Sequence, residues 1–300
     1  MRILVTGASG FIGTAVVPEL IAAGHQVTGL ARSDAAADTI SAAGAAVVRG
    51  SLDDLDVLRS AAADAEAVIH LAFKHDLLYA GEYDAAAEAD RLAIETLGAS
   101  IGGDDPALVI ATGFAGLSFG RPTTEADVAS SDGHGARRVA GTEAALALAE
   151  HGVRSSIVRL SPTVHGEGDG GFVATYAQTA RDRGVVGYVD DGSNQWPAVH
   201  RTDAARLFRL AAEKAPAGSV LHAVAEQGVP IHELAETLGE RMDLPTRSVP
   251  ADAAGEHFGW LAGFIAMDMP ASSDITRDLL GWTPEGPTLL ADVKAGHYDR

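Results

Sequence analysis

The stretch TGASGFIG, residues 6–13, lies between a short apolar run and an amphipathic segment predicted to be a helix. Gly7 permits a tight turn, Gly10 lets the backbone approach a pyrophosphate, and Gly13 allows the helix to pack closely on the strand. The pyrophosphate would lie at the helix N-terminus, where free N–H groups and the helix dipole favour anions. In this strand–turn–helix context the glycines predict a dinucleotide site. Its predicted residues are Thr6, Gly7, Ser9, Gly10, Phe11, Ile12 and Gly13.

Apolar runs alternate with amphipathic or alanine-rich segments throughout the first half of the chain. Parallel strands need crossover connections, which are usually helices, so this alternation predicts an α/β fold with a doubly wound parallel Rossmann sheet. The predicted strands are Ile3–Thr6, Gln26–Ala31, Ala46–Arg49, Ala67–Ala72, Leu108–Thr112 and Ser155–Leu160.

After Pro162 the regular alternation of apolar runs and helical segments ends. A glycine-rich segment, residues 166–171, predicts a loop, and prolines divide the last hundred residues into short helices. We therefore expect residues 1–160 to form the dinucleotide-binding Rossmann domain. Residues 161–300 are expected to form a smaller C-terminal α/β lobe that binds the substrate, with about 197–225 returning to the core.

The amino-acid composition argues against several classes of binding partner. The formal net charge is −19 and there is no basic run, which argues against nucleic acid and anionic membranes as partners. The absence of cysteine excludes disulfides and thiolate metal sites, and no histidine spacing indicates a metal site. We expect a cytoplasmic monomer or homodimer that binds a small-molecule substrate. Two alanine-rich helices, near residues 82–100 and 135–150, are the candidate dimer face.

The second predicted strand ends in Arg32-Ser33 instead of the acidic residue that usually binds the ribose of NAD. An arginine fork beside a hydroxyl suits a 2′-phosphate, which favours NADP(H). The alternative is that Arg32 is a solvated surface residue. Asp53, next to Leu52 and just past the third strand, is predicted to contact the adenine amine, although it would equally serve as a helix N-cap.

With these motifs in place, the chain resembles the extended short-chain dehydrogenases/reductases of the NAD(P)-dependent epimerase/dehydratase group over nearly its whole length. Besides TGASGFIG, the resemblance rests on VIHLA (68–72), RLSPTVHG (159–166), AVHRTDAA (198–205) and PIHELA (230–235). It implies a cofactor domain followed by a lobe that selects the substrate. The residues that it places beside the nicotinamide are Leu71, Ala72, Ser161, Thr163 and Val164.

The family's Tyr-x-x-x-Lys pair is missing. None of the three lysines lies in the predicted helix near residues 135–150, and no tyrosine is followed four residues later by lysine. His134 and Arg138 have the same spacing. A histidine with a pKa near ~6.5 is a suitable proton donor at neutral pH, and Arg138 would anchor the ribose through hydrogen bonds. Two alternatives stay open. If the alignment is shifted by one residue, Gly135 and Val139 take the positions of the tyrosine and the lysine, and both are chemically inert. His134 and Arg138 would also suit the solvent-exposed start of a helix.

Further candidates surround this pair. The family's serine or threonine after the fifth strand corresponds to Thr112, with Ser118 as a second choice. The aromatic residues Phe172, Tyr176, Tyr188 and Trp196 are predicted to form an apolar substrate wall, together with His200. Alternative proton donors are Tyr176, Tyr188, His165 and His200.

Three functions follow from these features. The favoured one is an NADP(H)-dependent oxidoreductase that reduces a small or medium organic carbonyl, or oxidises the alcohol, by hydride transfer. The missing Tyr/Lys pair supports a catalytically degenerate NADP(H)-binding sensor or interaction protein. A nucleotide-sugar epimerase or dehydratase would need a basic pocket for a second diphosphate, whereas the arginines of the C-terminal lobe are interspersed with acidic residues.

Overall fold

The computed structural model describes residues 1–114, 116, 117, 120–129 and 136–299; of residues 78, 79 and 136–138 only the backbone is described. The strands are β1 Arg2–Thr6, β2 Gln26–Ala31, β3 Ala46–Arg49, β4 Ala67–His70, β5 Ala107–Gly113, β6 Arg154–Leu160, β7 Thr163–His165, β8 Val186–Val189, β9 Gln195–His200, β10 Ser219–Ala223, β11 Glu226–Pro230 and β12 Thr246–Val249. The helices are α1 Gly13–Ala22, α2 Asp34–Ala42, α3 Leu55–Ala63, α4 His75–Tyr79, α5 Tyr83–Gly98, α6 Ala136–Ala147, α7 Phe172–Arg183, α8 Arg201–Lys214, α9 Ile231–Met242, α10 Ala254–Phe258, α11 Ala262–Ile265, α12 Asp274–Leu280 and α13 Leu289–Lys294.

Seven strands form the central sheet in the order β10-β6-β5-β4-β1-β2-β3, and every neighbouring pair is parallel. The predicted doubly wound Rossmann sheet is therefore confirmed, and all six predicted strands belong to it. Within residues 197–225, predicted to return to the core, α8 packs against α1 and β10 joins this sheet. The start of that segment instead belongs to β9, in a second sheet.

Both faces of the central sheet are buried, which is why its middle strands are continuous apolar runs. Side chains alternate between the faces along each strand. From β1, Ile3 and Val5 pack with α1 and α8, whereas Leu4 packs with α3 and α5. This arrangement brings the C-terminal ends of the strands, and the loops that follow them, to one edge of the sheet.

The C-terminal lobe has a core of its own. It contains a three-stranded sheet, β11-β9-β7, and a two-stranded sheet, β12-β8. Helices α7, α9, α10 and α13 contribute to the same buried cluster, which includes Tyr176, Trp196 and Phe258. In the part of the chain that the structure describes, no helix is long and apolar enough to cross a membrane.

Candidate active site

The glycine turn has the geometry that its sequence predicts. Gly7 follows β1 with φ +67, a conformation that favours glycine, and a Cβ there would lie 2.8 Å from the backbone nitrogen of Ala72. A Cβ at Gly13 would lie 2.2 Å from the carbonyl oxygen of Gly7. Backbone packing alone therefore requires glycine at both positions. The turn and the start of α1, residues 10–13, line a cleft, and a helix N-terminus in this position suits a pyrophosphate.

This cleft has a volume of about 1880 Å³ and runs along the C-terminal edge of the central sheet into the C-terminal lobe. It exceeds the range of about 300–1,000 Å³ that is usual for one drug-sized ligand. The predicted cofactor residues that line it are Gly7, Ser9, Gly10, Phe11, Ile12, Gly13, Arg32, Ser33, Leu52, Asp53, Leu71, Ala72, Ser161 and Val164. A dinucleotide and a second small molecule can share a cleft of this size.

Two basic side chains lie at the end of the cleft beside β2. The Arg32 side chain is largely exposed, and its Nη1 lies 3.9 Å from a carboxylate oxygen of Asp76. Ser33 caps α2 by accepting a hydrogen bond from the backbone of Ala36. Lys74, which the sequence analysis missed because it belongs to no motif, donates to both carboxylate oxygens of Asp53 at 2.9 and 2.7 Å. The predicted adenine ligand Asp53 is thus paired with a lysine.

Two predicted cofactor residues are buried outside the cleft lining. Thr6 lies beneath the turn, where its hydroxyl accepts from the backbone of Ala72 at 3.3 Å. Nε2 of His70 donates to Asp90 at 3.2 Å, so Nδ1 of the same ring carries no proton. The hydroxyl of Thr6 therefore donates to Nδ1 of His70 at 2.8 Å. Thr163 is fully buried and donates to the carbonyl oxygen of Pro197. Thr6 therefore supports the cleft-lining backbone of Ala72 instead of lining the cleft itself.

The predicted catalytic residues are only partly covered by the structure. Thr112, near the end of β5, lines the cleft. Ser118 and His134 lie outside the described residues, as does the side chain of Arg138. Val139, which replaces the family's lysine in the shifted alignment, lines the cleft on α6.

The predicted substrate wall needs correction. Phe172 lines the cleft, but Tyr176 and Trp196 are each 1% exposed in the core of the lobe. Tyr176 lies one helical turn beyond Phe172 on the buried face of α7, donates to the carbonyl of Gly187, and has its pKa raised by burial. Tyr188 packs against the same core and is not among the described lining residues.

The predicted histidines also lie elsewhere. His200, another residue absent from the described lining, caps the N-terminus of α8. His165, an alternative proton donor, is fully buried, and its Nδ1 donates to Asp292 at 2.6 Å. Burial lowers the pKa of both histidines. The two therefore connect β7 and β9 to the C-terminal helix instead of facing a substrate.

Two other aromatic residues take the place of the predicted wall. Trp260, just before α11, and Phe264, within α11, line the cleft beside Phe172. The ring centroid of Phe172 lies 6.1 Å from that of Trp260 and 4.9 Å from that of Phe264. Trp260 is 60% exposed and Phe264 37% exposed, so this aromatic cluster of Phe172, Trp260 and Phe264 opens to the cleft.

A buried polar cluster, which the sequence analysis missed, lies at the inner end of the cleft. Arg159 on β6 donates to Nε2 of His222 at 3.2 Å, and Nδ1 of His222 donates to the carbonyl of Ser272 at 2.7 Å. Burial lowers the pKa of His222 to about 4, so its ring is neutral at neutral pH. Glu125 lies nearby and accepts two hydrogen bonds from Thr276. Arg159 and Glu125 both line the cleft.

A profile of the NAD dependent epimerase/dehydratase family matches residues 3–224. The chain belongs to this family. An uncharacterized protein of Schizosaccharomyces pombe is 45% identical over 99% of the chain and 100% of its own length. The 4-hydroxy-2-methyl-3-oxo-4-farnesyl-3,4-dihydroquinoline-1-oxide ketoreductase of Stigmatella aurantiaca is 29% identical over 86% of the chain and 80% of its own length.

The same fold occurs in a solved structure. The dTDP-glucose 4,6-dehydratase of Streptomyces venezuelae, solved with NAD bound, has a TM-score of 0.77 and 19% identity, and the match covers 99% of this chain and 96% of that one. A nicotinamide dinucleotide is accordingly the class of cofactor that the family, the glycine turn and the cleft together support.

Proposed function

We propose that this family member is an NADP(H)-dependent oxidoreductase that reduces a small or medium apolar carbonyl compound, or oxidises the corresponding alcohol, by hydride transfer. One observation carries the proposal: a single cleft joins the glycine turn and Arg32 to an open aromatic cluster. Residues 1–160 would hold the cofactor, and residues 161–300 would select the substrate. When bound, the nicotinamide supplies or accepts the hydride.

The choice of NADP(H) over NAD(H) rests on charge at the end of β2. Arg32 and Ser33 stand where the 2′ position of the adenosine ribose is expected, and Lys74 adds a second cation at this end of the cleft. The contact between Arg32 and Asp76 is long and exposed, so a phosphate would replace it at little cost. Asp53 neutralises part of the charge of Lys74, which makes Arg32 the main phosphate ligand in this proposal.

The substrate end of the cleft favours an apolar, uncharged molecule. Phe172, Trp260 and Phe264 offer aromatic surface, and Val128 lines the same cleft with its side chain exposed. The Stigmatella ketoreductase, whose named substrate carries a farnesyl group, is consistent with reduction of an apolar ketone in this family. Thr112 would donate a hydrogen bond to the substrate oxygen, with His134 as proton donor and Arg138 as ribose anchor.

A nucleotide-sugar substrate is less compatible with the charges in this region. Four acidic residues line the cleft towards α6 and the C-terminal lobe, namely Glu125, Asp127, Glu143 and Asp169. Among the described lining residues of this part of the cleft, Arg159 is the one basic side chain. A second diphosphate would meet a negative field there.

Calorimetric titration with NADPH and NADH tests the cofactor assignment. The wild type is expected to bind NADPH more tightly than NADH. Arg32→Ala should weaken NADPH binding by about 10- to 100-fold, because a charge-assisted hydrogen bond is removed, and should change NADH binding little. Arg59→Ala is the matched control, since Arg59 is an exposed arginine on α3 outside the described lining. If Arg32→Ala lost affinity equally for NADPH and NADH, the role of Arg32 in binding the 2′-phosphate would be refuted. If the wild type bound neither cofactor, the assignment of the protein as an NADP(H)-dependent oxidoreductase would be refuted.

A further inference from the structure

Two arginines on β6 differ in how their charges are satisfied. Arg154 donates to Asp105 at 2.7 Å and to the carbonyl oxygens of Ala212 and Ala215 at 3.0 and 3.1 Å. Arg159 is 6% exposed, yet in the part of the chain that the structure describes it makes one hydrogen bond, to the neutral ring of His222. No carboxylate within that part lies within 4.0 Å of its guanidinium.

A buried guanidinium with one neutral partner is unfavourable for folding, because water is lost and no carboxylate replaces it. Burial lowers the pKa of Arg159, and the more distant negative charges of Glu125 and Asp127 oppose this effect only in part. Since Arg159 lines the cleft, its remaining N–H donors are available to a molecule bound there. Residues that lower the stability of the fold in this way are typical of functional sites.

The position of Arg159 indicates which part of a ligand it would meet. In the register of β5 and β6, Arg159 lies opposite Thr112, so both side chains extend from the same face of neighbouring strands. Thr112 also lines the cleft, near the C-terminal edge where ligands of doubly wound sheets bind. On the other side, Arg159 lies opposite His222, whose ring is fixed by Ser272 and packs 4.7 Å from that of Phe114. The guanidinium is therefore held in place before a ligand binds.

We propose that Arg159 is a catalytic residue that binds, together with Thr112, the substrate oxygen on which negative charge develops during reduction. The inference rests on the proposed function. It assigns to Arg159 the electrostatic part of the role that the family's lysine would perform. Glu125 and Asp127 offset the charge of Arg159, and the acidic side chains of this part of the cleft oppose a permanent anion, so a neutral carbonyl is the expected ligand.

The chemistry balances without proton loss from Arg159. A bound NADPH would supply hydride to the carbonyl carbon and become NADP⁺, and the π electron pair of the C–O bond would move onto the oxygen. Arg159 and Thr112 donate hydrogen bonds to this alkoxide. A proton from water, or from His134, then completes the alcohol, so that carbonyl, NADPH and one proton become alcohol and NADP⁺. Fixed donors aimed at the developing charge lower the barrier more than they strengthen ground-state binding.

The test compares Arg159→Met with Arg154→Met on the same strand. NADPH oxidation is followed with acetophenone and acetonaphthone as probe substrates, and melting temperatures are recorded without ligand. Arg159→Met should lower both kcat and kcat/KM by about 10²- to 10³-fold, the usual effect of removing one oxyanion donor. Its melting temperature should stay within about 2 °C of the wild type. Arg154→Met should lose about 4 °C or more, because the part-buried carbonyl oxygens of Ala212 and Ala215 lose their donor.

Arg159→Lys is the control for a folding defect in Arg159→Met. It keeps the positive charge and a donor for His222 but lacks the planar guanidinium. It should recover part of the rate lost in Arg159→Met. A rise in KM at unchanged kcat would overturn the inference, because it would place Arg159 against a remote part of the substrate. A fall in melting temperature equal to that of Arg154→Met, with unchanged kinetics, would overturn it in favour of a structural role. If the wild type binds NADPH but reduces neither ketone, the proposed carbonyl reduction fails, and the inference fails with it.

Discussion

Nδ1 of His165, at the end of β7, donates to Oδ2 of Asp292 on α13 at 2.6 Å, although 127 residues separate them in the sequence. Asp292 is 1% exposed, and two further histidines approach its carboxylate: Nε2 of His200 at 3.8 Å and Nδ1 of His297 at 3.5 Å. One buried acid on the last helix therefore connects the C-terminus to both β7 and β9. These two strands lead into the glycine-rich loop and into α8.

Replacement of Asp292 should destabilise the protein because the carboxylate is the partner of a buried N–H group. Asp292→Leu is expected to lower the free energy of unfolding by about 1–3 kcal/mol. Asp292→Asn is the matched control, because its amide oxygen can still accept from Nδ1 of His165, and it should lose less. Urea denaturation measures both changes. Equal losses in the two variants would mean that charge, and not the hydrogen bond, holds α13 in place.

Stability should fall as the solution becomes acidic. Burial lowers the pKa of His165, His200 and His222 below the value of 6.5 of an exposed histidine, so the unfolded chain takes up protons before the folded one. Stability from these groups is complete above about pH 6.5 and is lost as the pH falls through the folded pKa values, about 4 for His222. Melting temperatures between pH 7.5 and about 5 measure this loss. His165→Gln, which keeps a donor for Asp292, should show a weaker dependence on pH; an unchanged slope would exclude His165 as a contributor.

The cofactor half could be predicted because its signals are local. The turn at residues 6–13, the alternating strands and helices, and Arg32 can all be recognised within a few residues of sequence. The C-terminal lobe depends on distant pairings instead. Trp196 and Trp260 are indistinguishable in sequence, yet Trp196 is buried because β9 pairs with β7 and β11. Arg154 and Arg159 likewise differ in their three-dimensional partners. Although Arg159 begins the motif RLSPTVHG, nothing in the motif predicts that its guanidinium lies within 4.0 Å of no described carboxylate.

Gly13→Ala should damage the cofactor site through backbone packing. Its Cβ would lie 2.2 Å from the carbonyl oxygen of Gly7 and 2.7 Å from backbone atoms of Ala8, so the turn or the start of α1 must move. We expect at least a tenfold loss of NADPH affinity, about 1.4 kcal/mol, by calorimetry. Gly255→Ala is the control, because a Cβ there meets nothing within 4 Å and its helix tolerates alanine. Unchanged affinity in Gly13→Ala would show that the turn yields without losing its shape.

Trp260→Ala should weaken the use of apolar substrates without affecting the cofactor. Trp260 lies in the aromatic cluster at the lobe end of the cleft, and removal of one aromatic contact typically costs about 0.5–1.5 kcal/mol beyond the loss of buried area. We therefore expect kcat/KM for acetonaphthone to fall by about 5- to 20-fold, chiefly through KM, with NADPH affinity unchanged. Leu279→Ala is the matched control, because Leu279 is a similarly exposed apolar residue of the C-terminal lobe outside the described lining of the cleft. If both variants reduced the ketone as the wild type does, the aromatic cluster would not contact the substrate, and its exposure would need another explanation.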